Sequence, residues 1–377
     1  MSLAQQLQRQ HLSSLVPYAS ARRNANSDTP ALWLNANESP YSTDYTLDCS
    51  DLNRYPAFQS AALNQAYAAY AKVAEQQVLS CRGSDEAIDL LIRAFCEPNR
   101  DAVMITTPTY GMYAISAATQ GAAVIDVPLL LNASQSNAAG QLDVDAICQR
   151  LQDINADLAV KLVFLCSPSN PLANDLQPES LKRVLNAASE HALVVVDEAY
   201  IEFSQQPSIS SWLNDYPNLV VLRTLSKAFG LAGARCGFAL ANSDVIQVLQ
   251  KVLAPYPLPE LTLQVAQQAL EASAIAHMQA SVQRTAVERM RWQQALAQLA
   301  GVDHVYPSVT NFILLAVDDA NALVNHCRAD GILIRDQSAQ PGLNNCVRIS
   351  IGSADQNQRC LTSLQRYFAD RHAAMEK

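Results

Sequence analysis

Lys227 stands in the stretch "RTLSKAFGLAGARCGFAL" (residues 223–240), the one lysine in a mostly apolar setting, with Arg235 eight residues on. Burial lowers a lysine's pKa, and the neutral amine that results can attack a carbonyl to form a Schiff base. Read alone, Lys227 is equally a solvated loop lysine, as most lysines are. Beside it, Thr224 and Ser226 offer hydroxyls. Arg235 offers a forked, permanently charged group suited to phosphate.

Four other segments carry residues of comparable interest. In Gly83-Ser84-Asp85-Glu86 a glycine turn precedes a helix start, whose amides can hold phosphate or can simply be capped. Asp197 follows the buried run "LVVV", where a carboxylate is costly without a partner. A protonated pyridine nitrogen would serve; so would a helix cap or a structural salt bridge. Asn170, in "SPSNP", is either a turn residue or a donor to a phenolic oxygen. Arg335 and Arg348 lie inside the apolar runs "ILIRD" and "CVRIS", as members of internal ion pairs or as forks for a carboxylate or phosphate.

These residues need a scaffold that gathers them. Apolar runs such as "LVVV" and "LVVL" lack polar alternation, which predicts strands covered on both faces. They alternate with helical stretches from about residue 60 to 250, so an α/β unit with a largely parallel sheet is expected. Most of the polar residues above fall just after predicted strands, where open α/β sheets bind ligands. The expected division is a polar arm over 1–52, a large domain over 53–250 and a smaller α+β domain over 251–377. The segment "APYPLPE" is a plausible hinge, and the stretch after it reads as long helix with one break. A lysine Schiff base, an acid for a ring nitrogen and a phosphate cup together describe a pyridoxal-phosphate enzyme.

Composition excludes other classes. A formal net charge of −9 over 377 residues disfavours nucleic acid and anionic membranes as partners. Nine cysteines without a C-x-x-C pair read as reduced thiols of a cytoplasmic protein. The six histidines lack metal-ligand spacing, so no metal is expected. The first residues lack the apolar core of a signal peptide, and no apolar run reaches membrane-spanning length.

Over nearly its whole length the chain resembles fold-type I, class II aminotransferases, and within them the histidinol-phosphate aminotransferase family. The resemblance rests on "LNANESPY", "RYP", "SCRGSDEAIDLLIRAF", "TPTYGMY", "CSPSNP", "VVVDEAYIEF", "LRTLSKAFGLAGARCGF", "LAPYPL" and "ILIRDQ". It implies a mostly parallel seven-stranded sheet plus a smaller α+β domain, with pyridoxal 5'-phosphate as cofactor. It implies that Lys227 bonds the cofactor and shuttles a proton, and that Asp197 pairs with the ring nitrogen. Tyr200 and Asn170 would bond the phenolic oxygen, and Tyr110 would stack on the ring. Ser84, Asp85, Thr224, Ser226 and Arg235 would hold the phosphate, with Gly83, Gly233 and Gly237 shaping its cup. Tyr55 would cross from the partner subunit of a homodimer to that phosphate. Tyr18 and Asn37 would cover the substrate, and Arg335 and Arg348 would bind its phosphate or glutamate's carboxylates. The implied reaction is a two-step exchange between histidinol phosphate with 2-oxoglutarate and imidazole acetol phosphate with glutamate. The chain departs from the family pattern at Ser169, at Leu172-Ala173 (usually Thr-Gly) and at Gly230. Alternatives are an aromatic amino-acid aminotransferase, a threonine-phosphate decarboxylase-like enzyme and, from another class, a cofactor-binding regulator. The last would need a DNA-binding segment, and no basic helix-turn-helix region is present.

Overall fold

The unalternating apolar runs do form buried strands in the computed structural model, which describes residues 2–17, 32–131, 140–153 and 158–375. In chain order the strands are β1 (Leu32–Trp33), β2 (Val78–Cys81), β3 (Asp101–Ile105), β4 (Ala123–Asp126), β5 (Ala159–Cys166), β6 (Leu193–Asp197), β7 (Leu219–Thr224), β8 (Gly237–Ala241), β9 (Val302–Val305), β10 (Phe312–Val317), β11 (Ile332–Leu333), β12 (Arg335–Asp336) and β13 (Cys346–Ser350). Seven of them make one sheet in the order β2-β8-β7-β6-β5-β3-β4. Pairings from β7 through β4 are parallel, whereas β8 runs antiparallel to both of its neighbours. The sheet is therefore mixed with a parallel majority. Every residue of β2, β3, β7 and β8 is buried, which is why those strands show no alternation.

Helices cover both faces. Ser60 caps the helix Ala61–Ala71 by accepting from the Leu63 amide, and Leu63, Tyr67, Ala68 and Ala71 turn inward. The helix Ser84–Phe95 buries Ala87, Ile88, Leu90, Leu91 and Ile92 along one side. One apolar cluster, with Tyr67, Val194, Val196 and Val221, packs on one face of the sheet. A second, with Ile88, Tyr113, Val195, Val220 and Leu222, packs on the other. Successive strand residues alternate between these clusters, as pleating requires.

The remaining strands make a four-stranded antiparallel sheet, β12-β13-β10-β9, and the parallel pair β1-β11. The expected long helix is Glu260–Ala269 followed by Ala272–Leu296, with one break between them. "ILIRD" is interrupted at Ile334, so Arg335 begins its own short strand, β12. The arm reaches this sheet: beyond β1, the Leu34 carbonyl accepts from the Ser350 amide, and the Asn37 amide donates to Ser350 Oγ at 2.8 Å. Nearer the chain start, Arg9 donates to the Gln120 carbonyl of the helix Met112–Gln120. Among the described residues, no helix is long and apolar enough to cross a membrane.

Candidate active site

Strands β5, β6 and β7 end around a cavity of about 470 Å³, which is also lined by the helix start after β2, arm residues 35–38 and two arginines of the small sheet. Thirteen of the fifteen residues singled out in the sequence line it: Asn37, Ser84, Asp85, Tyr110, Asn170, Asp197, Tyr200, Thr224, Ser226, Lys227, Arg235, Arg335 and Arg348. Tyr18 lies outside the described residues. Tyr55 does not line the cavity; it is 80% exposed and stacks on Tyr256 with ring centroids 4.3 Å apart.

Asp197 is the last residue of β6 and is buried. Burial pushes its carboxyl up to about 6, against the opposing pull of hydrogen bonds from the Tyr113 hydroxyl (2.8 Å) and the Ala199 amide (3.0 Å). A carboxylate held so far above its ordinary range is stabilised by any cation placed beside it.

Lys227 follows β7, and its Nζ donates to the Ala36 carbonyl at 2.9 Å. Burial first, and the charge of Arg348 second, bring its amine down to about 8. About a tenth of the amine is thus neutral and nucleophilic at pH 7.

The cup for an anion forms where β8 abuts the start of the helix Ser84–Phe95. Gly83 has φ +82°, and a Cβ at Gly237 would sit 2.5 Å from the Gly83 carbonyl carbon and 2.6 Å from the Ser84 nitrogen. Only glycine permits that approach. Thr224 Oγ1 and Ser226 Oγ lie 2.9 Å apart, and Arg235 reaches Ser226 Oγ at 3.5 Å and Asp85 at 3.2 Å. The Tyr110 hydroxyl donates to the same Asp85 at 2.9 Å. At Gly233 a Cβ would meet no other residue within 4 Å.

On another part of the wall, Asn37 Nδ2 donates to the Tyr200 hydroxyl at 2.9 Å. Arg348, buried, donates to Asn170 Oδ1 and to the Asn35 carbonyl. Arg335 lines this cavity and also a smaller adjoining one with Thr109, Asp336 and Gln340.

The donor set fits pyridoxal phosphate. A buried acid lacking full compensation suits a protonated ring nitrogen, an amine of lowered pKa suits an aldehyde, and hydroxyls, a guanidinium and a helix start suit a phosphate. All three lie on one cavity.

Three features were not singled out in the sequence. Tyr113 is one; its place in "TYGMY" hinted at it, but its bond to Asp197 needs the fold. The Ala36 carbonyl is another, since a backbone group leaves no mark in a sequence. The third is the buried trio Arg223, Glu198 and Glu202, which sits beside the site residues in "DEAYIE" and "LRTLSK".

The family model for aminotransferases of class I and II matches residues 20–364. Histidinol-phosphate aminotransferase 2 of Idiomarina loihiensis is 56% identical, covering 98% of this chain and all of that one. The histidinol-phosphate aminotransferase of Yersinia enterocolitica is 47% identical over 95% of this chain and 92% of its own. Among solved structures, the Sinorhizobium meliloti histidinol-phosphate aminotransferase in complex with pyridoxal-5'-phosphate superposes with a TM-score of 0.78 at 23% identity, covering 95% of this chain and 99% of that one. With this fold, this cavity and relatives matched end to end, the chain belongs to the histidinol-phosphate aminotransferase family of class I and II aminotransferases.

Proposed function

We propose that the protein is a pyridoxal-phosphate-dependent transaminase that moves an amino group between histidinol phosphate and 2-oxoglutarate, in histidine biosynthesis. The observation that carries this reading is a single cavity holding the amine of Lys227, the buried acid Asp197, the anion cup and two arginines. The family membership supports the substrate assignment over an aromatic amino acid, and over decarboxylation of a phosphorylated amino acid.

The bound cofactor supplies an electron sink for the bond broken at the substrate's α-carbon. The chain does the rest. Lys227 Nζ would anchor the cofactor, take the proton from the substrate's α-carbon and deliver it to the cofactor. Asp197 holds the proton on the ring nitrogen. Tyr200 and Asn170 hydrogen-bond the phenolic oxygen, and Tyr110 stacks on the ring. Ser84, Asp85, Thr224, Ser226 and Arg235 hold the phosphate. Arg335 and Arg348 grip the phosphate of histidinol phosphate in one half-reaction and the carboxylates of glutamate in the other. Fixing both ends of the substrate aligns its α C–H bond for the lysine.

The reading extends to assembly. The exposed Tyr55, stacked on Tyr256, is the residue we assign to the partner subunit's phosphate cup, which requires a homodimer. Tyr18 and Asn37 cover the substrate. The arm is residues 1–52, the large domain 53–250 and the small domain 251–377, and the enzyme works in the cytoplasm. The test is glutamate formation from 2-oxoglutarate with histidinol phosphate, phenylalanine or threonine phosphate as donor, with carbon dioxide monitored. Histidinol phosphate should give the highest kcat/KM. A higher value for phenylalanine, or carbon dioxide release from threonine phosphate, would move the assignment.

A further inference from the structure

Behind the cavity, across the large sheet, lies a cluster of buried ions that the reaction does not use. Arg223 Nη2 is 2.6 Å from Glu202 Oε1, and Nη1 is 3.5 Å from Glu198 Oε2; all three side chains are at most 6% exposed. Glu198 also accepts from the Ser208 hydroxyl at 2.6 Å and the Ile209 amide at 2.9 Å. Glu202 accepts from the Tyr70 hydroxyl at 3.3 Å, tying in the helix Ala61–Ala71.

Stability alone is a poor reason for such a cluster. Removing ions from water costs so much that well-packed apolar replacements are often as stable or more so. Its place in the chain offers a better reason. Glu198 comes one residue after Asp197, Glu202 two after Tyr200, and Arg223 one before Thr224. The Glu198 amide bonds the Leu222 carbonyl at 2.9 Å, so Glu198 and Arg223 meet where β6 and β7 end. Arg223 alternates with Thr224 on β7, and the trio meets Tyr70 beside the apolar cluster of Tyr67, on the face opposite Tyr113, the partner of Asp197.

A rigid aromatic ring with a phosphate arm demands fixed distances between its anchors. Asp197 for the ring nitrogen, Tyr200 for the phenolic oxygen and Thr224 with Ser226 for the phosphate lie on two chain segments. Resting on the reading of this cavity as a pyridoxal-phosphate site, we propose that Arg223 is a positioning residue. Its one guanidinium, bound to Glu198 and Glu202, sets the spacing of those anchors from the far side of the sheet.

The clean test neutralises the whole cluster, Arg223→Met with Glu198→Gln and Glu202→Gln, so that no charge is left unpaired. Parent and variant are compared by far-ultraviolet circular dichroism and melting temperature without cofactor. They are also compared by the dissociation constant for pyridoxal phosphate and the pH midpoint of the bound cofactor's visible band. The expected result is unchanged circular dichroism, a melting temperature equal or higher, a dissociation constant raised about tenfold or more, and a moved midpoint, since small misplacements are costly in a preorganised site. A folded variant whose dissociation constant stays within about twofold of the parent's, with an unmoved midpoint, overturns the positioning role. If the triple variant loses its native circular dichroism, the same two readings on Arg223→Lys decide, because lysine keeps the charge and loses the fork. A parent protein that binds no pyridoxal phosphate would overturn the cofactor site itself, and that outcome is distinct from a parent that binds while the variant binds equally well.

Discussion

Tyr113 and Asp197 stand 84 positions apart in sequence and meet in the core at 2.8 Å, hydroxyl to carboxylate. The tyrosine arrives on the helix Met112–Gln120 and the acid at the end of β6. Its bond pulls the carboxyl pKa down while burial pushes it up. Tyr113→Phe removes the donor and leaves the ring packing, including the stack on Phe164. The expected outcome is a drop in kcat of about tenfold with KM for histidinol phosphate little changed, the scale of one lost charged hydrogen bond. Steady-state kinetics on both parameters check it.

Asp197→Asn separates stability from activity. In the cofactor-free protein the carboxyl sits near 6, above its ordinary 3.8. The folded state therefore holds a proton more firmly than the unfolded one. The stability this gives is full below about pH 4 and is lost as pH rises through 6, an amount on the order of 3 kcal/mol. Asparagine cannot ionise, so the variant's cofactor-free melting temperature should be flatter over that window and higher than the parent's at pH 7. Transamination should fall by about a thousandfold or more, as for loss of a group acting at the reacting centre. Melting curves from pH 4 to 8 and an activity assay test both halves.

Lys227 carries the next prediction. With its amine near pH 8, capture of pyridoxal phosphate by cofactor-free protein should speed up about tenfold per pH unit below 8 and level off above it. Stopped-flow absorbance at several pH values measures this. Lys227→Ala should fold normally, with a melting temperature no lower than the parent's at pH 7, because a disfavoured buried charge is removed. It should have no measurable transamination.

Much of the site was legible in the sequence, because strand ends in an α/β sheet converge and residues placed just after strands converge with them. Lys227, Asp197, Thr224 and Asn170 needed only that rule to meet. The antiparallel direction of β8 was not legible, since a buried strand looks the same in either direction. Tyr113 and Arg223 were missed because each faces a partner chosen by tertiary packing. Ala173 was noted as a departure from a usual glycine, and it does adopt φ +66°, a backbone that glycine favours. Asn170 nonetheless reaches the cavity. Tyr55 does not line the cavity of its own chain and stacks, exposed, on Tyr256.

Arg348 and Asn170 form a testable pair. Arg348 donates to Asn170 and lies over the Phe312 ring at 5.3 Å, so its fork is already oriented. Arg348→Lys should raise KM for both histidinol phosphate and glutamate by about a hundredfold and leave cofactor affinity nearly unchanged. Asn170→Ala should weaken both. The double variant should lose less than the sum of the two, the mark of residues in contact. A double-mutant cycle on kcat/KM gives the coupling.

One half-reaction decides whether histidinol phosphate is the amino donor. The purified protein, loaded with pyridoxal phosphate, is mixed with histidinol phosphate in the absence of any keto acid, and the cofactor's absorbance is followed. The visible band should be replaced by the near-ultraviolet band of the aminated cofactor, and 2-oxoglutarate should restore it. A bound cofactor that stays unchanged with histidinol phosphate, yet converts with phenylalanine or tyrosine, would contradict that assignment.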